Sequence, residues 1–336
     1  MKKQRIGIVG FRGYSGAELI RILDRHPSVQ PVLMEHRHDT EHRPEPLNAK
    51  QRERVLCTGE AVHDALLALV FLATPPEVSM ELAPQMLAAG ARVIDLSGAF
   101  RLREAQSYKH WYREDHTAPA LLQEAVYGLP EHCRARLHGA RLIANPGCYP
   151  TAANLAIKPL VDAGVVDREA GIVCDAKSGV SGAGRKPTLK TSFGEVTENF
   201  SAYSILNHRH VPEVLMISGL NEAEFSFTAQ LLPLHRGILE TIYFRAKGPH
   251  EAQELIDIYL QRYHGEPFVR LYKAGEAPDL SGVQRTNYCD IGVRLDGATG
   301  RAVVVCTIDN LGKGAAGQAV QNMNLALGFP ETEGLL

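Results

Sequence analysis

Residues 5–23, RIGIVGFRGYSGAELIRIL, decide the fold. The apolar run RIGIV is too short for a helix and reads as a buried strand. Gly10, Gly13 and Gly16 then punctuate the chain. Beyond them Leu19, Ile20 and Leu23 fall on one helical face, which Pro27 ends. Strand, glycine turn and helix in that order form a dinucleotide-binding entry: glycines let backbone approach a pyrophosphate, and the helix N-terminus favours its charge. The spacing here is GxxGxxG rather than the commoner GxGxxG, but the physics is similar. Glycine turns also precede helices without any ligand, so the surrounding pattern has to carry the inference.

That pattern extends outward as alternation. VQPVLM offers a second strand, and ALLALVFLATP (65–75) and ARVIDLS (91–97) two more. A helix is expected around 77–89, with a break or weakening at Pro84. ARLIANP (140–146) is a further strand. Strands alternating with helices predict a doubly wound, parallel, Rossmann-type α/β sheet. After residue 150 the texture changes. TAANLAIKPLVDAG reads as a helix, EFSFTAQLL and GILETIYFRA alternate apolar and polar residues, and DGATG joins CDIGVRL to RAVVVCTI as a hairpin. This half is predicted to be an α+β domain with a largely antiparallel sheet. The segment KGAAGQAVQNMNLALGF is helical again, with Ala316, Val320, Met323 and Leu327 on one stripe. Residues 38–54 form the one long polar stretch and read as a surface loop.

A chain of 336 residues is long enough for two ordinary domains, each with its own core. Lys plus Arg number 36 against 38 Asp plus Glu, a net charge of −2, which provides no basic field for a nucleic-acid backbone. The N-terminal MKKQRIGIVG has basic residues before an apolar run, but the run is too short for a signal peptide. Nothing approaches a membrane span. A soluble, cytoplasmic protein is expected. Six scattered cysteines without a CxxC pair argue against a disulfide framework or zinc site, and EHRHDTEHR has no convincing metal spacing, so no metal is expected.

Five of those cysteines, Cys57, Cys133, Cys174, Cys289 and Cys306, read as small buried hydrophobes. Cys148 does not. In IANPGCYPT a strand ends in Asn-Pro-Gly, the thiol follows, and a helix begins near Thr151. Helix N-terminal amides favour a thiolate, and a nucleophile is wanted at such a turn. Its proton-handling partner is sought in ILNHRHVPEVL (205–215). Pro212 suits a first helical turn, which puts His210 near the cap and Glu213 within reach to orient its ring. His210 is favoured over His208 as acid/base, though two loop histidines are often only polar surface. Glu35 follows the second strand where an acid would hold a ribose hydroxyl. Arg37, two residues on, could instead hold a 2′-phosphate.

GFRGYSGAEL, FLATPPEVS, DLSGAFRL, NPGCYPTAANLAIKPL, SGVSGAGRK, HRHVPEV, LHRGILETIY and DNLGKGAAGQAVQNMN occur in that order. With them the chain closely resembles the N-acetyl-γ-glutamyl-phosphate reductases of the aspartate-semialdehyde dehydrogenase superfamily, over nearly its whole length. GCYPT and HRHxPE carry the specificity. The resemblance implies NADPH-dependent reduction of an acyl phosphate to an aldehyde in arginine biosynthesis. It puts the nucleophile on Cys148 and the acid/base on His210, with Glu213 and His208 beside them. Cofactor contacts are implied at Gly10, Gly13, Tyr14, Ser15 and Gly16, at Arg37, and at Thr74 and Pro75. The loop residues Ser178, Gly179 and Gly182 should lie against cofactor or substrate phosphate, and Asn310, Gly312 and Lys313 near the nicotinamide. Arg101 and Arg209 are phosphate ligands by position, and Asn145 a further substrate contact. The implied division is 1–147 with 313–336 for the dinucleotide and 148–312 for catalysis and oligomerisation, in a dimer or tetramer. A reductase of a related acyl phosphate (aminoadipyl or aspartyl), a regulator that binds nucleotide without turnover, and a cysteine hydrolase are the rival readings.

Overall fold

Residues 5–9 become an interior strand of a parallel sheet because Ile6, Ile8 and Val9 are completely buried, with Ile6 and Ile8 on one face and Val9 on the other. The computed structural model describes residues 3–36, 51–186, 188–248 and 251–336. Arg37 and most of the polar stretch 38–54 lie outside the described residues. The chain separates into two compact units, residues 1–145 with 316–336 and residues 146–315.

In the first unit β1 (Gln4–Val9), α1 (Tyr14–Leu23), β2 (Val29–Glu35), β3 (Arg54–Leu56), α2 (Gly59–Asp64), β4 (Leu67–Leu72), α3 (Pro76–Ala88), β5 (Arg92–Asp95), α4 (Ala105–Tyr112), β6 (Val126–Tyr127), α5 (Pro130–Leu137) and β7 (Leu142–Ala144) follow one another. The strands lie in the order β3-β2-β1-β4-β5-β7-β6, and every neighbouring pair is parallel. One face packs Ile6, Ile8, Leu69 and Phe71 against Leu19, Ile22 and Leu23 of α1 and against Val320 and Met323 of the C-terminal helix Gly317–Leu327. The other packs Val9, Val32, Val70 and Leu72 against Met80, Ala83 and Met86 of α3. Each fully buried aliphatic or aromatic side chain contributes about 1.5–3 kcal/mol, which holds helices on both sides of the sheet. The expected break at Pro84 does not occur: α3 runs on through it, with the ring on the exposed side. The C-terminal helix is more enclosed than its apolar stripe suggests. Gln318, Gln321, Asn322 and Asn324 are fully buried as well, bonded among others to Gly128, Glu131 and His26.

The second unit contains α6 (Cys148–Asp162), β8 (Ile172–Gly179), α7 (Phe193–Val196), β9 (Ser201–Tyr203), α8 (Val211–Ser218), β10 (Phe225–Leu232), β11 (Ile238–Arg245), α9 (Ala252–Arg262), β12 (Val269–Leu271), β13 (Cys289–Asp296) and β14 (Arg301–Ile308). Its sheet order is β12-β13-β14-β11-β8-β10-β9. The sheet is mixed: β8 with β10 and β12 with β13 are parallel, and the other neighbours are antiparallel. The DGATG turn closes the β13–β14 hairpin through Asp296, which accepts from the Ala298 amide and the Thr299 hydroxyl, with Gly300 at φ +67°. Helix α6 is anchored by Tyr263 Oη, which donates to the Leu155 carbonyl at 2.5 Å, and by Tyr259 Oη on that of Ala156. Cys174, Cys289 and Cys306 fill this core as expected, and burial pushes the Cys174 and Cys306 thiols far up, away from thiolate. Cys57 and Cys133 depart from the expectation in being only half-buried. Among the described residues no helix is long and apolar enough to cross a membrane.

Candidate active site

The cysteine turn is built by the second unit alone. Cys148 is the first residue of α6, three residues earlier than the sequence suggests, and Gly147 is its N-cap. The helix runs fifteen residues with no acidic side chain in its first turn, so its N-terminal amides and dipole favour negative charge at the sulfur. Cys148 is partly exposed and opens on a cavity of about 720 Å³. Tyr149, Ser178, Tyr203, His208, Arg209 and His210 line that cavity with it.

Glu213 sits in the first turn of α8 and is completely buried. Its Oε2 accepts the Gly147 amide at 2.9 Å, so the carboxylate holds the backbone of the cysteine turn. His210 caps the same helix. A Cβ added to Gly147 would lie 2.7 Å from His210 Nε2, which places the imidazole edge directly against the residue before the cysteine. His208 stands behind it. Its Nδ1 accepts the His210 amide at 3.1 Å, and its ring sits edge-on to Tyr149 and Tyr203. Burial, assisted by the Arg209 guanidinium, lowers the His208 pKa to about 4, so this ring stays neutral near pH 7. His208 thus supports the backbone of His210 through that bond.

A Cβ on Gly314 would meet Cys148 Cβ at 2.9 Å. The turn Gly312–Ala316 that brings Gly314 there is a single π turn governed by Asp309. The Asp309 carboxylate accepts Arg236 Nε at 2.9 Å and Nη2 at 3.0 Å, together with the Leu311 and Gly312 amides at 2.8 and 2.9 Å. Its carbonyl accepts the Gly314 amide at 2.9 Å. Sequence reasoning missed this fork-bound pair and both contact glycines. The glycines were visible, but the atoms pressed against them are remote in sequence.

Ser178, Gly179 and Gly182 all line the cysteine cavity. Asn310 ties the same loop down: its Oδ1 accepts the Gly237 amide at 2.8 Å and its Nδ2 donates to Ser181 Oγ at 2.9 Å. Gly312 has no space for a side chain, since a Cβ would meet the Thr286 carbonyl at 2.2 Å. Lys313 is wholly enclosed, its ammonium 5.6 Å from the Phe268 ring centroid. Within this unit Gly312 has room only for backbone, and the Lys313 side chain is turned into the core.

The first unit holds the glycine loop. Gly10 has φ +75°, and a Cβ there would strike the Ala73 carbonyl at 2.3 Å; one on Gly16 would strike the Gly10 carbonyl at 2.4 Å. Both glycines are therefore obligatory for a turn that lies this close to its neighbours. Tyr14 and Ser15 open α1. Gly10, Gly13, Thr74 and Pro75 line a second cavity of about 480 Å³, with the N-terminus of α3 at Pro75. A backbone cradle between two helix N-termini fits the pyrophosphate of a dinucleotide. At the end of β2 the Glu35 carboxylate lies 3.5 Å from both Arg12 and Arg54. Arg101 is buried, its Nε and Nη2 donating at 2.9 Å to the carbonyls of Asn145 and Leu96 at the ends of β7 and β5. The Asn145 side chain accepts Asn322 Nδ2 at 3.0 Å. Among the described residues no group of three or more His, Cys, Asp or Glu side chains is arranged to hold a metal ion.

Comparison with known proteins agrees with both units. Residues 5–140 match the family model described as semialdehyde dehydrogenase, NAD binding domain, and residues 148–310 the one described as semialdehyde dehydrogenase, dimerisation domain. The N-acetyl-gamma-glutamyl-phosphate reductase of Symbiobacterium thermophilum is 51% identical, covering 99% of this chain and 97% of the relative. That of Geobacillus kaustophilus is 46% identical over 98% and 97%. Among solved structures, aspartate semialdehyde dehydrogenase II from Vibrio cholerae, complexed with ASA, superposes with a TM-score of 0.73 at 19% identity, covering 97% of this chain and 98% of that one. The aspartate semialdehyde dehydrogenase of Candida albicans, solved with NADP, gives 0.70 at 16% identity over 96% and 98%. The fold is that of the semialdehyde dehydrogenases, and the chain belongs to the N-acetyl-gamma-glutamyl-phosphate reductase family.

Proposed function

We propose that the chain reduces N-acetyl-L-glutamyl 5-phosphate to N-acetyl-L-glutamate 5-semialdehyde and phosphate with NADPH, in arginine biosynthesis, through a thioester on Cys148. The observation that carries this reading is the cysteine at the N-terminus of α6, open to a cavity, with the His210 ring packed on the preceding glycine.

The thiolate adds to the acyl-phosphate carbonyl, the carbon–oxygen bond to phosphate breaks, and phosphate leaves with the electron pair. When bound, the reduced nicotinamide supplies the hydride that takes the thioester to the aldehyde level. The chain's own residues do the rest. Backbone amides of the first turn of α6 stabilise negative charge on sulfur and on the carbonyl oxygen. His210 moves the proton between sulfur, that oxygen and solvent. Glu213 keeps the Gly147–Cys148 backbone in place through the Gly147 amide, and neutral His208 keeps His210 in place. Thioester formation replaces hydride attack on a poorly electrophilic carboxyl derivative with two easier steps.

Arg209 and Arg101 are the phosphate ligands in this reading, with Asn145 a further substrate contact. Gly10, Gly13, Tyr14, Ser15, Gly16, Thr74 and Pro75 hold the dinucleotide. Arg12 and Arg54, which flank Glu35, suit the extra phosphate of NADP. The enzyme is a cytoplasmic homo-oligomer, a dimer or tetramer. Val173 and Tyr243, paired across β8 and β11, stand exposed on the open face of the second sheet, where a second copy would cover them.

The test is a coupled assay with N-acetylglutamyl phosphate, run with NADPH and NADH in turn, alongside mass spectrometry of quenched enzyme. Turnover with NADPH and a substrate-sized adduct on Cys148 are expected, and Cys148→Ser should lose both. Product accumulating in the Ser variant, or no adduct while the wild type turns over, would end the thioester route.

A further inference from the structure

We infer that Lys190 is the specificity residue that binds the α-carboxylate of the acyl-phosphate substrate. The inference rests on the reductase reading above and deepens it. The substrate carries two anionic groups, the phosphate on the carbonyl that Cys148 attacks and a carboxylate at the far end of its carbon chain. The cysteine cavity presents two permanent cations, Arg209 and Lys190. Arg209 lies between His208 and His210, the histidine packed at the nucleophile's turn, and its planar fork matches a leaving phosphate. Lys190 comes from a different element, the single turn Leu189–Thr191, and lines the same cavity.

That turn is fixed without using the lysine. Thr188 and Thr191 form a reciprocal cap in which the Thr188 amide donates to Thr191 Oγ1 at 3.0 Å and the two hydroxyls bond at 2.9 Å. The side chain is exposed, and among the described residues its ammonium has no hydrogen-bond or ion-pair partner. A point charge on a flexible stem suits one mobile carboxylate. Among the described residues Glu195 is the one acidic side chain lining the cavity, and a secondary amide N–H is a donor its carboxylate can accept. An acylated amino acid thus meets a cation for its carboxylate and an acceptor for its amide.

The reverse reaction tests this with stable substrates. Oxidation of N-acetylglutamate 5-semialdehyde by NADP with inorganic phosphate is compared with that of 4-acetamidobutanal, which lacks only the carboxylate. The wild type should prefer the carboxylated aldehyde in kcat/KM. Lys190→Met should cut that preference about tenfold, mainly through aldehyde KM, with the KM for phosphate changed by less than about twofold. Lys190→Arg should restore most of it. A preference that survives in Lys190→Met, even with slower rates, overturns the assignment, as does a raised phosphate KM or a wild type that shows no preference. A folded, NADPH-binding wild type inert toward both aldehydes overturns the reductase reading, and the assignment falls with it.

Discussion

Gly147→Ala isolates the contact on which the proposed chemistry turns. Gly147 has φ −65° and ψ 153°, a conformation alanine adopts without strain, and its amide bond to Glu213 does not involve a side chain. The added methyl would lie 2.7 Å from His210 Nε2 and 2.9 Å from two ring carbons. Ordinary contact begins near 3.5 Å, so the imidazole must retreat by about 0.8 Å. It has little room to do so, because Tyr149 and His208 stand 6.0 and 4.7 Å away, ring centre to ring centre, and the His210 amide is tied to His208 Nδ1. A displacement approaching 1 Å at a reacting geometry costs about a hundredfold in rate. We therefore expect kcat to fall about a hundredfold in the phosphorylating direction, with NADP affinity unchanged and the melting temperature within a few degrees of wild type. The pH dependence of Cys148 alkylation by iodoacetamide, followed by peptide mass, should change in the same variant, since the ring that shares its proton has moved. A kcat within threefold of wild type would refute the argument: either the ring relocates freely or it takes no part in the proton transfer.

Four further outcomes follow from burial and charge. His208 has its pKa lowered to about 4, so His208→Gln should reduce kcat without moving either limb of the pH–rate profile, whereas His210→Ala should cost more and remove a limb. The same depression means that folding stability falls as pH drops below about 6.5 toward 4, because the unfolded chain takes up a proton that the folded chain resists; thermal melts of wild type and His208→Gln between pH 4 and 7 would reveal the difference. Glu240 is fully buried and burial raises its pKa well above 4.5, so its contribution to stability is complete below that value and declines as pH rises toward the folded pKa. Glu240→Gln should therefore raise the melting temperature by several degrees at pH 8 and little at pH 4; equal shifts at both would show that the effect is packing. Arg12→Ala should lower the NADPH over NADH preference about tenfold, read as the ratio of kcat/KM values; an unchanged ratio would mean that Arg12 serves only its contact with Glu35.

How legible each feature was in the sequence depended on how far its cause lay along the chain. Strands and helices set by their own periodicity were legible: RIGIV, VQPVLM and the alternating runs at 225–232 and 238–245 take the predicted form. Pro84 misled because a proline on the exposed side of a helix loses one backbone bond without meeting the core. The C-terminal helix was legible only as its apolar stripe, yet Gln321 and Asn322 are buried as well, because their amides meet Glu131 and the Gly128 carbonyl, partners nearly two hundred residues away. The site divides in the same way. A thiol after Asn-Pro-Gly and a His-Arg-His pair before a proline are local signals, and both residues line one cavity. Gly312 and Lys313 were legible only as a motif, and a motif does not say whether a side chain faces a ligand or its own core.

The Asp309 turn shows what holds that motif in place. One carboxylate takes an arginine fork and three backbone amides, those of Arg285, Leu311 and Gly312, and its carbonyl takes a fourth, so the chain is wound into a π turn whose glycine presses on Cys148. A buried pair of this kind adds little net stability, because desolvation offsets most of the attraction. Its effect is geometric, since removing either charge leaves the other enclosed and frees the turn. The turn of DNLGKG therefore reaches Cys148 through Gly314, while His210 and Glu213 reach it through Gly147. Cys148 is held between two glycines, each of which admits a neighbour that any larger residue would exclude.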